Sequence, residues 1–114
     1  MFGQKKRRKR TLEGAVTIDG YNLVWTLLSE PQWTGDQHTG LCISAKLATG
    51  QHRELVIEYP YDKAAGWPQW PRLTAAIVEA DLLNAMNDGW SPESRGRPYR
   101  FMAETKLEPG RAPA

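Results

Sequence analysis

Residues 11–29, TLEGAVTIDGYNLVWTLLS, decide the fold. Asp19-Gly20 stands between two runs rich in β-branched and aromatic residues. Asp-Gly supplies the two positive-φ residues that a two-residue type I′ hairpin turn requires. The reading is therefore a β-hairpin with strands at 11–18 and 21–29. The turn fixes the register, setting Ile18 against Tyr21, Val16 against Leu23, Gly14 against Trp25 and Leu12 against Leu27. One face then holds Leu12, Val16, Ile18, Tyr21, Leu23, Trp25 and Leu27. Opposite Gly14, the Trp25 indole can cover the gap that the glycine leaves. The other face holds Thr11, Glu13, Ala15 and Thr17, with Val24 and Leu28 as apolar exceptions.

Downstream, residues 30–39 (EPQWTGDQHT) read as a polar loop carrying Trp33. Two further strands are expected at 40–48 and 52–59, with apolar sets Leu41, Ile43, Ala45, Leu47 and Leu55, Ile57, Tyr59. Matching those sets across a Thr49-Gly50-Gln51 loop puts Ile43 against Ile57, Ala45 against Leu55 and Leu41 against Tyr59. It also sets Lys46 against Glu54, an opposite-charge cross-strand pair. Residues 60–72 (PYDKAAGWPQWPR) are broken by three prolines and a glycine and cannot be regular structure.

A helix is expected from an N-cap near Thr74 to Asp88, with Gly89 as its C-terminal stop. Leu73, Ala76, Ile77, Ala80 and Leu83 form one apolar stripe at helical spacing, sufficient to lie on a sheet. Val78, Leu82 and Met86 form a second stripe, which needs cover from the chain's own loops or from a second subunit. A turn-rich connector leads to a short strand at 99–102. The fold class is α+β: a four-stranded antiparallel meander, one helix on one sheet face and a short final strand, in the order β-β-β-β-α-β. The position of the last strand in the sheet is left open.

The end of the helix, Gly89-Trp90, followed by Ser91-Pro92-Glu93-Ser94-Arg95-Gly96-Arg97-Pro98 and an aromatic strand, resembles the C-terminal part of small uncharacterised bacterial proteins. There a Gly-Trp-x-Pro sequence and a nearby glycine precede a Phe- or Tyr-bearing strand. The resemblance covers residues 71–102 and implies an arrangement of elements, with no activity attached.

Charge divides the chain unevenly. Lys5, Lys6, Arg7, Arg8, Lys9 and Arg10 carry +6, whereas the other nine Lys/Arg face all 13 Asp/Glu, so residues 11–114 carry −4. The expectation is a disordered basic arm at 1–10, one domain at 11–102 and a flexible tail at 103–114. At 114 residues there is room for one core. The basic N-terminus has no apolar segment of the secretory kind, and no run is long enough to span a bilayer. The single cysteine, Cys42, excludes an internal disulfide framework and points to a reducing, cytoplasmic setting.

Six adjacent cations can displace counterions from a phosphate backbone, so Lys5 to Arg10 are candidate nucleic-acid contacts. Trp33, Trp67 and Trp70 lie on loops, where binding residues concentrate, and join the Val78, Leu82 and Met86 stripe as candidate partner contacts. That stripe also motivates a homodimer. Arg95 and Arg97 are candidate anion ligands. Glu54, Glu58 and Asp62 share the spacing of a divalent-cation site, but a solvated strand face accounts for them more simply. His38 and His52 are the only histidines, and Cys42 reads as a buried inert thiol. No cofactor or metal is expected. The leading expectation is a non-enzymatic binding or adaptor protein acting through a protein–protein surface. A nucleic-acid-associated role for the arm comes second, and a metal-dependent hydrolase third.

Overall fold

The computed structural model describes residues 10–33, 38–50, 52–60 and 71–108. Strands β1 (Glu13–Ile18) and β2 (Tyr21–Ser29) form the hairpin, with the register set by its turn: Ile18 pairs with Tyr21, Val16 with Leu23 and Gly14 with Trp25. Asp19 (φ 51°) and Gly20 (φ 81°) both adopt positive φ, as the Asp-Gly turn demands. A Cβ on Gly14 would stand 2.7 Å from the Trp25 indole. The ring therefore lies directly over the glycine and seals the sheet there.

Two short strands follow where a loop was expected, β3 (Gln32–Trp33) and β4 (His38–Thr39), pairing with each other as a separate ribbon. Strand β5 (Leu41–Leu47) then pairs antiparallel with β2, and β6 (Leu55–Tyr59) pairs antiparallel with β5. The β5–β6 register is the one that parity required, with Ile43 against Ile57 and Leu41 against Tyr59. The expected pairing of Lys46 with Glu54 is replaced by a hydrogen bond from the Ser44 hydroxyl to the Glu54 carboxylate. Between β2 and β5 the register shifts at Leu27/Ser29. The Leu27-Leu28 doublet divides as strand alternation requires: Leu27 enters the core, while Leu28 points outward at 46% exposure.

Helix α1 (Ala75–Asp88) begins at Thr74, whose side chain accepts the Ile77 N–H. It ends at Gly89 (φ 133°), whose own N–H bonds back to the carbonyls of Ala85 and Met86. Its buried residues are Val78, Asp81, Leu82 and Ala85. The stripe expected to face the sheet is thus largely the outer one, since Ala76, Ala80 and Leu83 are exposed. The reason is physical. Ala76 and Ala80 offer little area to bury, whereas Val78 and Leu82 offer a full side chain each. The carboxylate of Asp81 lies within the buried stripe and disguises it as a polar face. Val78 and Leu82 are 0% exposed within their own chain, so they are core residues and not a docking stripe, and Met86 is packed partly against the same core. The homodimer argument built on that stripe falls with it.

Strand β7 (Tyr99–Met102) lies beside β6 and runs parallel to it, pairing Leu55 with Tyr99 and Ile57 with Phe101. A parallel neighbour cannot be reached by a tight turn, and α1 supplies the crossover. The result is a five-stranded mixed sheet in the order β1-β2-β5-β6-β7, not a pure meander. The chain also does not fray after 102. Ala103 and Leu107 are buried, and the Thr105 hydroxyl donates to Asp81, so residues 103–108 belong to the folded body. The remainder of the expected tail, 109–114, lies outside the described residues. The core occupies one sheet face: Leu23, Trp25, Leu27, Ile43, Leu55, Ile57 and Tyr59 meet Val78, Leu82, Ala85 and Trp90. The other face leaves Leu28 and Met102 exposed, while Cys42, Ser44 and Val56 at its centre are buried.

Candidate functional site

At the end of the sheet where β5 finishes and β6 and β7 begin, two separate segments are braced together. The Arg53 N–H donates to the Ser94 carbonyl at 2.8 Å, and the Tyr99 N–H to the Glu54 carbonyl at 2.8 Å. The Trp90 indole N–H reaches the Arg53 carbonyl at 3.1 Å, anchoring the connector from inside the core. Arg53 itself donates through Nε to the Arg97 carbonyl at 2.7 Å and lies 5.1 Å from the Tyr99 ring centroid. The guanidinium of Arg53 is therefore committed to holding the corner.

On this brace stand His52, Arg95, Gly50 and Gly96, which line an open depression of about 480 Å³. His52 Nδ1 lies 3.1 Å from the Glu93 carbonyl oxygen. A carbonyl only accepts, so this contact is a hydrogen bond when Nδ1 carries the proton. Nε2 is then the free position of the ring, on the side of Gly50, where an added Cβ would come within 2.9 Å of it. Gly50 (φ 87°) and Gly96 (φ 133°) adopt backbone conformations that leave the depression without side chains at two points of its rim. Arg95 is exposed, and among the described residues its guanidinium has no hydrogen bond or ion pair. Nearby, the Glu93 charge and partial burial raise the Tyr21 phenol above its ordinary value.

Of the two arginines singled out in the sequence, Arg95 lines this depression, while Arg97 contributes its carbonyl to Arg53. His52 was not singled out. Its link to Glu93 spans forty-one residues, and no local motif announces a contact that only the β6-α1-β7 crossover creates.

A second depression, of about 600 Å³, lies between α1 and the segment after β7. The carboxylate of Asp81 on its wall is 1% exposed and accepts from Asn84 Nδ2 at 3.0 Å and from the Thr105 hydroxyl at 3.1 Å. Beside it, the Tyr59 hydroxyl is fully buried and, among the described residues, closes no hydrogen bond of ordinary geometry. Burial first, and then the neighbouring Asp81 charge, push the Tyr59 phenol far above the usual tyrosine range. This group ties the C-terminal segment to the helix. Tyr99 caps the same helix by donating to the Asp88 carboxylate at 2.7 Å, which raises its own phenol above the ordinary value.

The outer sheet face carries Glu13, Ala15, Val24, Thr26, Ser44 and Lys46 around a shallow hollow. Leu28 and Met102, at 46% and 57% exposure, lie toward its other end. Cys42 is on this face between β2 and β6. Burial pushes its thiol up, and the Glu58 charge adds to that, against a Ser29 hydrogen bond and the Arg100 charge. Glu54 and Glu58 are on the same face, but each is already bonded, Glu54 by Ser44 and Glu58 by the Gly40 N–H. Asp62 lies outside the described residues, among which no three His, Cys, Asp or Glu converge for a metal.

The basic arm joins the body at Arg10, whose Nε and Nη2 bond both oxygens of Glu30 at 2.7 and 2.9 Å. Arg10 therefore serves as the arm's anchor. Lys5, Lys6, Arg7, Arg8 and Lys9 lie outside the described residues, as do Trp67, Trp70 and the side chain of Trp33. No helix among the described residues is long and apolar enough to cross a membrane.

These features define a small α+β domain with one helix-covered sheet face, a braced cationic corner and a second sheet face carrying exposed apolar residues. Comparison with family models, curated proteins and solved structures returns no match to this chain.

Proposed function

We propose that the protein is a non-enzymatic binding protein acting through a protein–protein surface, and that this surface is the outer face of its sheet. The observation that carries the reading is the exposure of Leu28 and Met102, two of the most exposed large apolar side chains, on β2 and β7 toward the same end of that face. Exposed apolar area on a sheet face favours association once it is grouped and rimmed by polar groups. Here the rim has both signs: Lys46 and Arg100 against Glu13, Glu54 and Glu58. A second copy of the chain meets both requirements, because a two-fold contact brings each face against the same mixture of charge. The occupant of the face is therefore a second copy, and the dimer is the binding unit.

Sedimentation of the full chain tests this. A reversible dimer in the wild type, lost in the Leu28→Asp, Met102→Asp double variant with its melting temperature retained, supports the reading. A wild type that stays monomeric at high concentration overturns it.

A second reading assigns nucleic-acid contact to the basic arm. It is favoured by the Arg10–Glu30 pair, which fixes the arm's root to the body. With Arg10 so occupied, phosphate contact falls to Lys5, Lys6, Arg7, Arg8 and Lys9. Binding should then weaken with salt at a log–log slope of magnitude no greater than about 5. Deleting those five residues should abolish it, and binding that survives the deletion would contradict the assignment.

A further inference from the structure

We infer that the corner of Gly50, His52, Arg95 and Gly96 is a binding site for a tetrahedral oxyanion, a sulfate or phosphate group, and that protonation of His52 tightens it. Four observations lead there. The depression is lined by two nitrogen-bearing side chains and two glycines, with no carboxylate on its wall. Of the two connector arginines, Arg95 is the one that lines it, and no described group of the chain engages its guanidinium. A guanidinium offers a planar fork matched to two oxygens of such an anion. The supporting frame is rigid, because Arg53, Trp90, Ser94 and Arg97 lock the two segments together.

The fourth observation is the contact of His52 Nδ1 with the Glu93 carbonyl oxygen at 3.1 Å. The Glu93 carbonyl holds Nδ1 as the donor in the neutral ring, which leaves Nε2 as an acceptor. A bare Nε2 offers nothing to an anion. Adding a proton converts it into a second charged donor on the depression that Arg95 also lines. The charged and titratable groups around the ring are Arg95 facing it, Arg53 next in the chain and turned onto Tyr99, and Glu93 with its carboxylate by Tyr21. Glu54 is turned to the outer face by Ser44.

The site lies at the opposite end of the sheet from Leu28 and Met102, so the two can be broken separately. The test is a titration of the full chain with sodium sulfate, followed by amide NMR at Gly50 and Gly96, against sodium chloride at matched ionic strength. Sulfate keeps its charge over the range, so any change with pH comes from the protein. Saturable shifts at both glycines are expected, with tighter binding at about pH 5.5 than at about pH 8. Arg95→Gln should weaken it on the order of tenfold. His52→Gln should retain binding at the weaker level and flatten the pH dependence. Repeating the titration with inorganic phosphate and with a simple phosphate monoester separates a free-ion site from one that takes a phosphorylated ligand. Shifts that chloride reproduces, or that survive Arg95→Gln unchanged, would overturn the assignment. Tightening with acid that persists in His52→Gln would overturn the role of the histidine.

Discussion

The two faces of the one sheet are built from the same strands and differ in almost everything else. The inner face is a continuous apolar surface, closed by α1 and locked at one end by Trp90. The outer face alternates charge with small residues and leaves Leu28 and Met102 in the open. Neighbouring residues along a strand therefore answer to different constraints. Inner positions are held by packing, where a lost methylene leaves a cavity. Outer positions toward the edges, such as Leu28 and Met102, are exposed, whereas Cys42, Ser44 and Val56 at the centre of that face are buried.

The comparison can be broken most sharply on the inner face. Trp90 is 2% exposed and its indole N–H is bonded to the Arg53 carbonyl, so Trp90→Ala should cost about 3–5 kcal/mol in chemical denaturation. It should also loosen the cationic corner. The helix sharpens the contrast further. Leu82→Ala should cost about 2–5 kcal/mol. By contrast, Leu83→Ala, one residue on and exposed, should stay within about 0.5 kcal/mol. Equal costs at the two positions would contradict the placement of the buried stripe.

A smaller effect is expected at Tyr59, at the inner edge of the core. Its folded-state pKa lies above the unfolded one, so the folded protein keeps a proton that the unfolded chain gives up. The associated stability is fully present below the unfolded phenol value near 10 and is lost as pH rises past it. The slope from this one group is at most about 1.4 kcal/mol per pH unit. Tyr21 and Tyr99 shift in the same direction and add to the alkaline loss. Tyr59→Phe should leave stability at neutral pH unchanged or slightly raised, because it removes a buried hydroxyl that closes no hydrogen bond of ordinary geometry among the described residues, and should reduce the alkaline slope. Urea denaturation at several alkaline pH values measures both.

How much of this was legible in the sequence follows from range. The Asp19-Gly20 turn is local, and it carried the hairpin register and the Gly14–Trp25 contact with it. Parity then carried the β5–β6 register. The helix limits were readable from Thr74 and Gly89, but its facing was not, because Asp81 interrupts the buried stripe. That carboxylate is tolerable only with Thr105 and Asn84 bonded to it, and a partner twenty-four residues away leaves no pattern along the chain. Ala103 and Leu107 misled for the same reason, as isolated apolar residues in a polar segment. The register shift after Leu27 and the parallel placement of β7 are both settled by the assembled sheet. The corner is the extreme case. Arg95 could be named as an anion ligand from its residue type, whereas its partner His52 was brought to it by tertiary structure alone.

The outer face as the contact surface is the claim that most needs a direct measurement. Amide chemical shifts of the wild type should be followed on dilution from high to low concentration. Movement should be confined to exposed outer-face positions such as Thr26, Leu28, Arg100 and Met102, with Ala76, Ala80 and Leu83 on the outer side of the helix unmoved. Movement centred on the helix, or none at any position, would contradict the assignment of the sheet face.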